Sequence, residues 1–216
     1  MDFQAARAAM IDSQVRTSDV TDRRLIAAMA AVRREFFVPS HRQSVAYAEA
    51  PVETGPGRWL ASPRDLSKLI NAASVGETGR VLDVAPGTGY SAAVLARLAG
   101  AVIALEQDET HASPLRDGLA KAGVSGVDVV VGSLKAGAPG KGPFDVIHVN
   151  GAIEDVPQAW LDQLAEGGRL AVVVDEGGVR RARLYTRSGG KTAWRTPFDS
   201  SAPRLPGFER VREFRL

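Results

Sequence analysis

Val81-Leu-Asp-Val-Ala-Pro-Gly-Thr-Gly-Tyr90 is the stretch that decides the fold of this chain. Its apolar start predicts a short buried strand over 80–84, which leads into a glycine-rich turn and a helix predicted over 91–99. Such a turn directs backbone N–H groups at a ligand from the start of a helix. The spacing Gly87-x-Gly89-x-x-Ala92 also fits the dinucleotide fingerprint, so the stretch predicts a nucleotide-binding βα unit.

Outward from this unit, strands and helices alternate. Further strands are predicted over 101–105, 127–131, 144–149 and 169–174, and a helix over 157–165, with Pro157 in its first turn and Gly167-Gly168 just past its end. Strands that alternate with helices favour a mostly parallel sheet covered on both faces. We therefore predict an α/β, Rossmann-like fold.

The flanks complete one predicted domain over 1–216. Residues 1–63 form a helical segment and a loop, 64–176 the nucleotide-binding core, and 177–216 a basic antiparallel hairpin (179–197) and tail. Within the first segment, Leu25, Ile26, Met29 and Val32 recur on one helical face, and Thr21-Asp22 can start that helix. Residues 51–63 are punctuated by proline and glycine, which predicts a loop.

Composition excludes several classes of protein. The 216 residues are 24% charged and 44% hydrophobic, as in ordinary globular domains, and they include no cysteine, so thiol catalysis and disulfides are excluded. Three histidines, His41, His111 and His148, follow no zinc-binding pattern. The start of the sequence, Met1-Asp2-Phe3-Gln4, has no basic region followed by an apolar stretch, so we expect no secretion signal, and the most apolar run, 92–105, is too short to span a bilayer. We expect a cytoplasmic protein without a metal site.

Charge is distributed unevenly. Residues 1–176 have a net charge of −5, whereas 177–216 have +7. The basic residues flank a turn at Ser188-Gly189-Gly190: Arg180, Arg181, Arg183, Arg187, Lys191 and Arg195. A solvated hairpin face is favoured over a phosphate-binding surface, so a nucleic-acid partner is not expected.

Two acidic residues identify the ligand more closely. Glu106 follows the second strand, where a carboxylate can accept hydrogen bonds from ribose hydroxyls in NAD and S-adenosylmethionine (SAM) sites alike. Asp83 lies at the end of the first strand, close to the place of a dinucleotide's pyrophosphate. The negative charge of Asp83 would repel that pyrophosphate. The methionine ammonium of SAM instead favours an acid there, so Asp83 favours SAM over NAD.

Motifs along most of the chain resemble the protein-L-isoaspartate O-methyltransferase family, whose members are class I SAM-dependent methyltransferases. The N-terminal motifs are the more specific, because the SAM loop is common to many methyltransferases. The matching stretches are Met10–Arg16, Thr21-Asp22, Ala28-Met29, Arg34–Pro39, Ala46-Tyr47, Gly55-Pro56-Gly57, Val81–Ala96, Phe144-Asp145 and Gly167–Leu170.

The resemblance implies a repair reaction on damaged proteins. In that family a methyl group passes from SAM to the α-carboxylate of an isoaspartyl residue, and S-adenosylhomocysteine is released. The ester then cyclises to a succinimide, which hydrolyses partly to aspartate. A carboxylate is ionised at pH 7 and needs no general base, so we expect neither a metal nor a histidine–carboxylate pair.

The resemblance also implies the cofactor-binding residues. They are Asp83, Ala85, Pro86, Gly87, Thr88, Gly89, Glu106, Gln107, Gly132, Ser133 and Leu134. Ala85 replaces a glycine, which is tolerable if its φ is negative. Ser133 replaces an acid that would accept the adenine amino group, and a serine oxygen accepts that bond more weakly.

The substrate loop departs from the family pattern Gly-x-Gly-Gln-Thr-Ile-Ser-x-Pro. Aligned through Gly57 and Pro63, the chain has Arg58 for glutamine, Trp59 for threonine and Ala61 for the serine credited with a role at the active site.

Ser62, one place later, is the candidate catalytic hydroxyl, although it also suits an N-cap of the helix that begins at Pro63. Trp59 suits either a stacking platform for substrate or an anchor of the loop. Asn150 replaces a small residue or threonine that lines the methyl-transfer cleft in the family, and His148 is favoured as a packed histidine.

Four hypotheses remain open from the sequence. The first is isoaspartyl methyl transfer to a protein or peptide. The second is methylation of another acceptor by a rebuilt loop at 55–63, and the third is a SAM-binding module that does not turn over. An NAD-dependent oxidoreductase comes last because of Asp83.

Overall fold

The strands of the computed structural model, which describes residues 1–210, form one sheet of two strands and one of seven. They are β1 (Val52–Gly55), β2 (Arg58–Leu60), β3 (Arg80–Val84), β4 (Ala101–Glu106), β5 (Val127–Val131), β6 (Phe144–Ile153), β7 (Leu164–Glu176), β8 (Val179–Ser188) and β9 (Lys191–Arg195). The α-helices are α1 (Phe3–Met10), α2 (Arg23–Ala31), α3 (Pro63–Ala73), α4 (Tyr90–Leu95), α5 (Glu109–Lys121) and α6 (Gln158–Asp162). A π-helical turn covers Ile11–Val15, and 3₁₀ turns cover Arg16–Ser18, Arg34–Phe37, Ser40–Val45 and Leu134–Ala136.

The large sheet has the strand order β5-β4-β3-β6-β7-β8-β9. Strands β3 to β7 pair in parallel, while β8 and β9 are antiparallel additions. The chain runs outward from β3 to β5 and then returns to place β6 on the other side of β3. Such a reversal opens a crevice at the carboxyl ends of the strands, where ligands of α/β sheets bind. The predicted Rossmann-like fold is confirmed.

Alternate side chains of the central strands enter two core layers. Val81, Val102 and Val146 pack in the layer beneath α1 to α5. Leu82 and Ile147 pack in the opposite layer, together with Trp160 of α6 and Phe208. Because both faces are buried, the strands are almost continuously apolar, which explains why they are recognisable in the sequence.

Most predicted elements are confirmed, but several boundaries are wrong. Asp22 caps α2 as expected, and its carboxylate accepts a hydrogen bond from Arg24 N. The helix predicted over 91–99 is α4, which ends at Leu95. The helix predicted over 157–165 ends at Asp162, and Pro157 is its N-cap, because Leu164 already pairs with Phe144 in the sheet.

The loop predicted over 51–63 is wrong in its centre. Residues Val52–Leu60 form the antiparallel β1–β2 hairpin, in which Val52 pairs with Leu60. Gly57 turns the hairpin with a φ of +63°, and a Cβ there would lie 2.7 Å from Pro206 Cγ. The hairpin therefore packs against the C-terminal segment as well as against the core.

The C-terminal segment confirms the predicted hairpin. Strands β8 and β9 flank the Gly189-Gly190 turn and extend the sheet. Asp175, at the end of β7, accepts hydrogen bonds from Arg204 and Arg180, and the Arg204 guanidinium lowers the pKa of Asp175 to about 2. Leu205 and Phe208 are buried, so this part of the tail packs on the core, whereas residues 211–216 lie outside the described residues.

Gly118 allows α5 to approach the turn that follows β3. A Cβ at Gly118 would lie 2.1 Å from Thr88 O, so Gly118→Ala must push the helix away from this turn. We expect it to lower the free energy of unfolding by about 2 kcal/mol, measured by urea denaturation. At an exposed glycine inside a helix, the same change to alanine would instead raise the free energy of unfolding by about 1 kcal/mol.

Gly76→Ala is the matched control. A Cβ at Gly76 has no atom within 4 Å, so the unfolding free energy is expected to stay within about 0.5 kcal/mol of wild type. A Gly118→Ala protein as stable as this control would contradict the close approach.

Candidate active site

The candidate site lies at the carboxyl ends of β3, β4 and β6. Asp83 and Glu106 lie at or next to the ends of β3 and β4, and both are fully buried. Asn150, farther along β6, is half-buried beside them. The sheet order thus brings together three residues that the sequence separates by up to 67 positions.

The glycine-rich turn between β3 and α4 adopts left-handed backbone conformations. Gly87 has a φ of +61° and Gly89 a φ of +99°. Ala85 has a φ of +55°, so the condition under which an alanine replaces glycine without strain, a negative φ, is not met. The hydrogen bond from Ala85 N to Leu105 O, 2.9 Å long, holds the turn against β4. It keeps Ala85 in a left-handed conformation, which residues with a Cβ rarely adopt.

Asp83 is held by three side chains of the protein itself. Ser91 Oγ donates to Oδ2 at 2.6 Å, while His148 Nδ1 and Asn150 Nδ2 donate to Oδ1 at 2.9 Å and 2.7 Å. Asn150 also donates to Val84 O at 3.0 Å. The carboxylate therefore ties β3 to α4 and β6.

His148 corrects one expectation and confirms another. It is buried at 1% exposure, as expected for a packed histidine. However, its bond to Asp83 forms a histidine–carboxylate pair that was not expected. Nδ1 carries the hydrogen in that bond, and the opposite ring nitrogen, Nε2, has no hydrogen-bond partner. Because Nε2 is hydrogen-bonded to no group of residues 1–210 that it could activate, the pair serves the packing of β3 against β6.

Glu106 forms a buried ion pair with Arg58 of β2. Arg58 Nε lies 3.0 Å from both carboxylate oxygens, and Nη2 lies 2.7 Å from Oε2. Gly87 N donates to Oε1 at 2.9 Å. Arg58 is 3% exposed and Glu106 is not exposed at all, so both charges depend on one another for neutralisation.

The β1–β2 hairpin covers the glycine-rich turn. A Cβ at Gly87 would lie 3.2 Å from Thr54 Oγ1 and 3.3 Å from Arg58 Cβ. His111 Nε2 lies 3.3 Å from Pro56 O, which links the hairpin tip to α5. Between these elements the structure leaves a cavity of about 40 Å³.

The other predicted cofactor residues surround this crevice. Gly132 N donates to Glu106 O at 2.9 Å, and Ser133 follows it at an exposed position. Leu134 is buried, and Gln107 is exposed and donates to Asp108. The remaining members, Pro86 and Thr88, belong to the glycine-rich turn, where Thr88 Oγ1 donates to Phe37 O at 2.5 Å.

The predicted substrate residues lie along the hairpin and just after it. Trp59 and Ala61 are half-buried, and Gly57 forms the turn. Ser62 Oγ is buried and accepts a hydrogen bond from Asp65 N at 3.3 Å, so the predicted N-cap of α3 is confirmed. This bond directs the hydroxyl to the helix terminus.

Arg34 is a buried cation whose contacts the sequence did not reveal. Nε donates to Ala46 O and Nη2 to Ala61 O, while Nη1 has no partner. The guanidinium lies 4.8 Å from the centre of the Tyr90 ring, and burial lowers the pKa of Arg34. Arg34 thus fixes the main chain at Ala61, where the family pattern has serine.

Sequence reasoning missed the hydrogen bonds of four buried side chains: Asp83, Ser91, His148 and Arg34. The sequence predicted Asp83 as an acid that holds the ligand, but it did not reveal the buried network around this carboxylate. The signal for the network was present in Asp83 and His148, because both occupy central parallel strands and become neighbours once β3 and β6 pair. No comparable signal exists for Arg34, whose partners are backbone carbonyl groups.

SAM fits the chemistry of this donor set. The crevice supplies a carboxylate at the end of β4 and a glycine-rich turn in which added Cβ atoms would fill the space, as a nucleoside site requires. Arg58, however, closes this space. The remaining cavity of about 40 Å³ is much smaller than ligand cavities, which usually measure about 300–1,000 Å³. Among residues 1–210 we find no cluster of acidic, histidine or cysteine residues suited to a metal ion and no helix able to span a membrane.

Comparison with known sequences agrees with this site. The sequence model of the protein-L-isoaspartate(D-aspartate) O-methyltransferase family matches residues 5–198. The protein-L-isoaspartate O-methyltransferase of Methanoculleus marisnigri is 38% identical over 168 residues, which cover 78% of this chain and 76% of that protein. The enzyme of the same name from Koribacter versatilis is 34% identical over 189 residues, or 88% and 85% of the two chains.

Solved structures share the fold. One protein-L-isoaspartate O-methyltransferase matches with a TM-score of 0.82 at 23% identity and covers 93% of this chain, which spans 66% of that one. A Plasmodium falciparum protein described as a beta-aspartate methyltransferase, in complex with S-adenosyl-L-homocysteine, matches with a TM-score of 0.78 at 20% identity over 92% and 97% of the chains.

Fold and site together define a class I, Rossmann-like SAM-dependent methyltransferase. The match over residues 5–198 and the identities of 34–38% go further. The chain belongs to the protein-L-isoaspartate(D-aspartate) O-methyltransferase family.

Replacement of Asp83 tests the buried network. Asp83→Asn places an amide where three donors converge, so at least one buried hydrogen bond is lost and a donor faces a donor. We expect the free energy of unfolding to fall by about 3 kcal/mol, measured by urea denaturation. Asp128→Asn, which breaks the exposed pair with Lys141, is the control and is expected to cost less than about 1 kcal/mol.

An Asp83→Asn protein with wild-type stability would contradict the structural role. Weakened SAM binding in that stable protein would then identify Asp83 as a ligand-holding acid.

Proposed function

We propose that the protein is a SAM-dependent protein carboxyl O-methyltransferase that methylates the α-carboxylate of isoaspartyl residues in damaged proteins. The observation that carries this proposal is the family match over residues 5–198. The crevice at the ends of β3 and β4, with Glu106 beside the glycine-rich turn, supports it.

Glu106 and the turn at 85–89 would hold the cofactor. Glu106 would accept the ribose hydroxyl groups, and Gly132, Ser133 and Leu134 would line the adenine side. Asp83 would position the site indirectly, because its donors fix the start of α4 and the end of β3. When bound, SAM supplies a methyl group on a sulfonium that is already an activated electrophile.

The protein's own residues would orient the acceptor and exclude water. An α-carboxylate has an ordinary pKa of about 3.5, so the acceptor is ionised without a general base. Opposite charges are neutralised during transfer, which a dry and aligned site promotes. Trp59 on the covering hairpin, Ala61 just after it and Asn150 of β6 would line the acceptor's path. Ser62, the candidate catalytic hydroxyl, would be restricted in orientation, because its Oγ accepts the hydrogen bond that caps α3.

The proposed partner is a protein or peptide that carries an isoaspartyl residue, and the proposed location is the cytoplasm. Arg34 would act as a positioning residue. Its hydrogen bonds to Ala46 O and Ala61 O hold the segment that follows the hairpin in place.

Release of S-adenosylhomocysteine tests the proposal. The purified protein is supplied with SAM and either an isoaspartyl peptide or its aspartyl twin. We expect turnover on the isoaspartyl peptide alone. Equal turnover on the twin, or none on either peptide from a protein whose melting temperature SAM raises, would favour another acceptor or a binding-only module.

The altered loop generates a second prediction. In Trp59→Thr/Ala61→Ser the serine hydroxyl returns to the half-buried position whose carbonyl Arg34 holds. We expect kcat/KM on the isoaspartyl peptide to rise about tenfold, the value of roughly one hydrogen bond of 1.4 kcal/mol. Ala48→Ser, an exposed change just before the hairpin, is the control and should leave kcat/KM unchanged. No rise in the folded double variant would show that these two residues do not limit activity.

A further inference from the structure

Arg58 saturates the carboxylate that the cofactor would need. Its Nε and Nη2 groups, with Gly87 N, supply four contacts of 2.7–3.0 Å to the two oxygens of Glu106. Bidentate arginine–carboxylate pairs of this kind are among the strongest hydrogen bonds in proteins. Ribose hydroxyl groups cannot approach these oxygens while the guanidinium is there.

The hairpin that carries Arg58 is built to stay closed. Arg58 Nη1 donates to Gly57 O at 3.1 Å, and the side chain of Thr54 accompanies Arg58 over Gly87. Pro206 packs against Gly57 at the turn of the hairpin. The remaining cavity of about 40 Å³ is too small for a nucleoside.

We propose that the β1–β2 hairpin is a latch on the cofactor crevice, and that Arg58 competes with SAM for Glu106. This inference rests on the proposed function, because it assigns Glu106 to the cofactor. SAM binds only after Arg58 leaves Glu106 and the hairpin lifts. The latch makes the apparent affinity for SAM lower than the intrinsic affinity by the fraction of molecules that are open.

The energetics favour a closed resting state that still opens. A buried pair is costly to break one-sidedly, because Glu106 would remain as a buried charge without a partner. A hairpin that moves as a whole avoids that cost, because water enters and hydrates both groups. If one molecule in ten to one in a hundred is open, the apparent dissociation constant is ten to a hundred times the intrinsic one.

Replacement of Arg58 tests the latch through binding rather than turnover. Arg58→Gln removes the positive charge and the bidentate contact, so Glu106 no longer favours the closed hairpin. We expect calorimetry to show SAM and S-adenosylhomocysteine binding at least tenfold more tightly than to wild type. Arg58→Lys keeps a charge without the planar fork and is expected to be intermediate.

Arg181→Gln is the matched control. Arg181 also pairs with a glutamate, Glu176, at 2.8 Å, but in the β7–β8 hairpin away from the crevice. The affinity of the Arg181→Gln protein for SAM should equal that of wild type. Equal or weaker binding by folded Arg58→Gln, including no binding by any of the proteins, would overturn the latch.

Wild-type kinetics test the same inference without a variant. Trp59 lies next to Arg58 on β2, so stopped-flow fluorescence can follow the hairpin. At high SAM concentrations the observed rate should level off at the opening rate of the latch. A rate that keeps rising linearly with SAM would overturn the latch.

The two proposals fail in different ways. If the affinities of wild type and Arg58→Gln are equal while the isoaspartyl peptide is methylated, only the latch is wrong. If Arg58→Gln binds SAM more tightly but wild type saturated with SAM methylates no isoaspartyl peptide, the latch stands and the proposed acceptor is wrong.

Discussion

Asp83 is a carboxylate without access to water, and the arrangement around it follows from the need to neutralise it. Three donors meet that need, and each comes from a different place: Ser91 from α4, His148 from β6 and Asn150 from farther along the same strand. An unpaired charge in this position would cost several kcal/mol, so β3, β6 and α4 are held in one relative geometry. That geometry defines the edge at which Glu106 and the glycine-rich turn meet.

Much of the fold is predictable because it rests on local patterns. Strands 80–84 and 127–131 match the structure to the residue, since both are bounded by turn signals. The helix cap at Asp22 follows from a side chain that bonds within three residues of itself. Where the end of an element is set by a distant partner, sequence reasoning fails: α6 stops at Asp162 because the next residues enter the sheet beside Phe144.

The site is predictable in its composition but not in its connections. Asp83, Glu106 and the glycines are visible because their order along a βαβ unit is informative. The pairing of Arg58 with Glu106 joins residues 48 positions apart. It depends on the β1–β2 hairpin, whose proline and glycine residues predicted a loop instead. Ala85 shows the same limit, because its hydrogen bond to Leu105 O overrides the local preference against a positive φ.

One short segment serves both halves of the crevice, which couples them mechanically. Arg58 holds its cofactor end through Glu106, and Arg34 holds its acceptor end through Ala61 O, three residues later. Arg34 belongs to the N-terminal segment, and its hydrogen bonds do not involve Glu106, so the second attachment persists when Arg58 leaves Glu106. A hairpin that releases Glu106 must therefore pivot near Leu60. Opening would move Trp59 together with Arg58, so the entry of the cofactor and the shape of the acceptor's path change in the same motion.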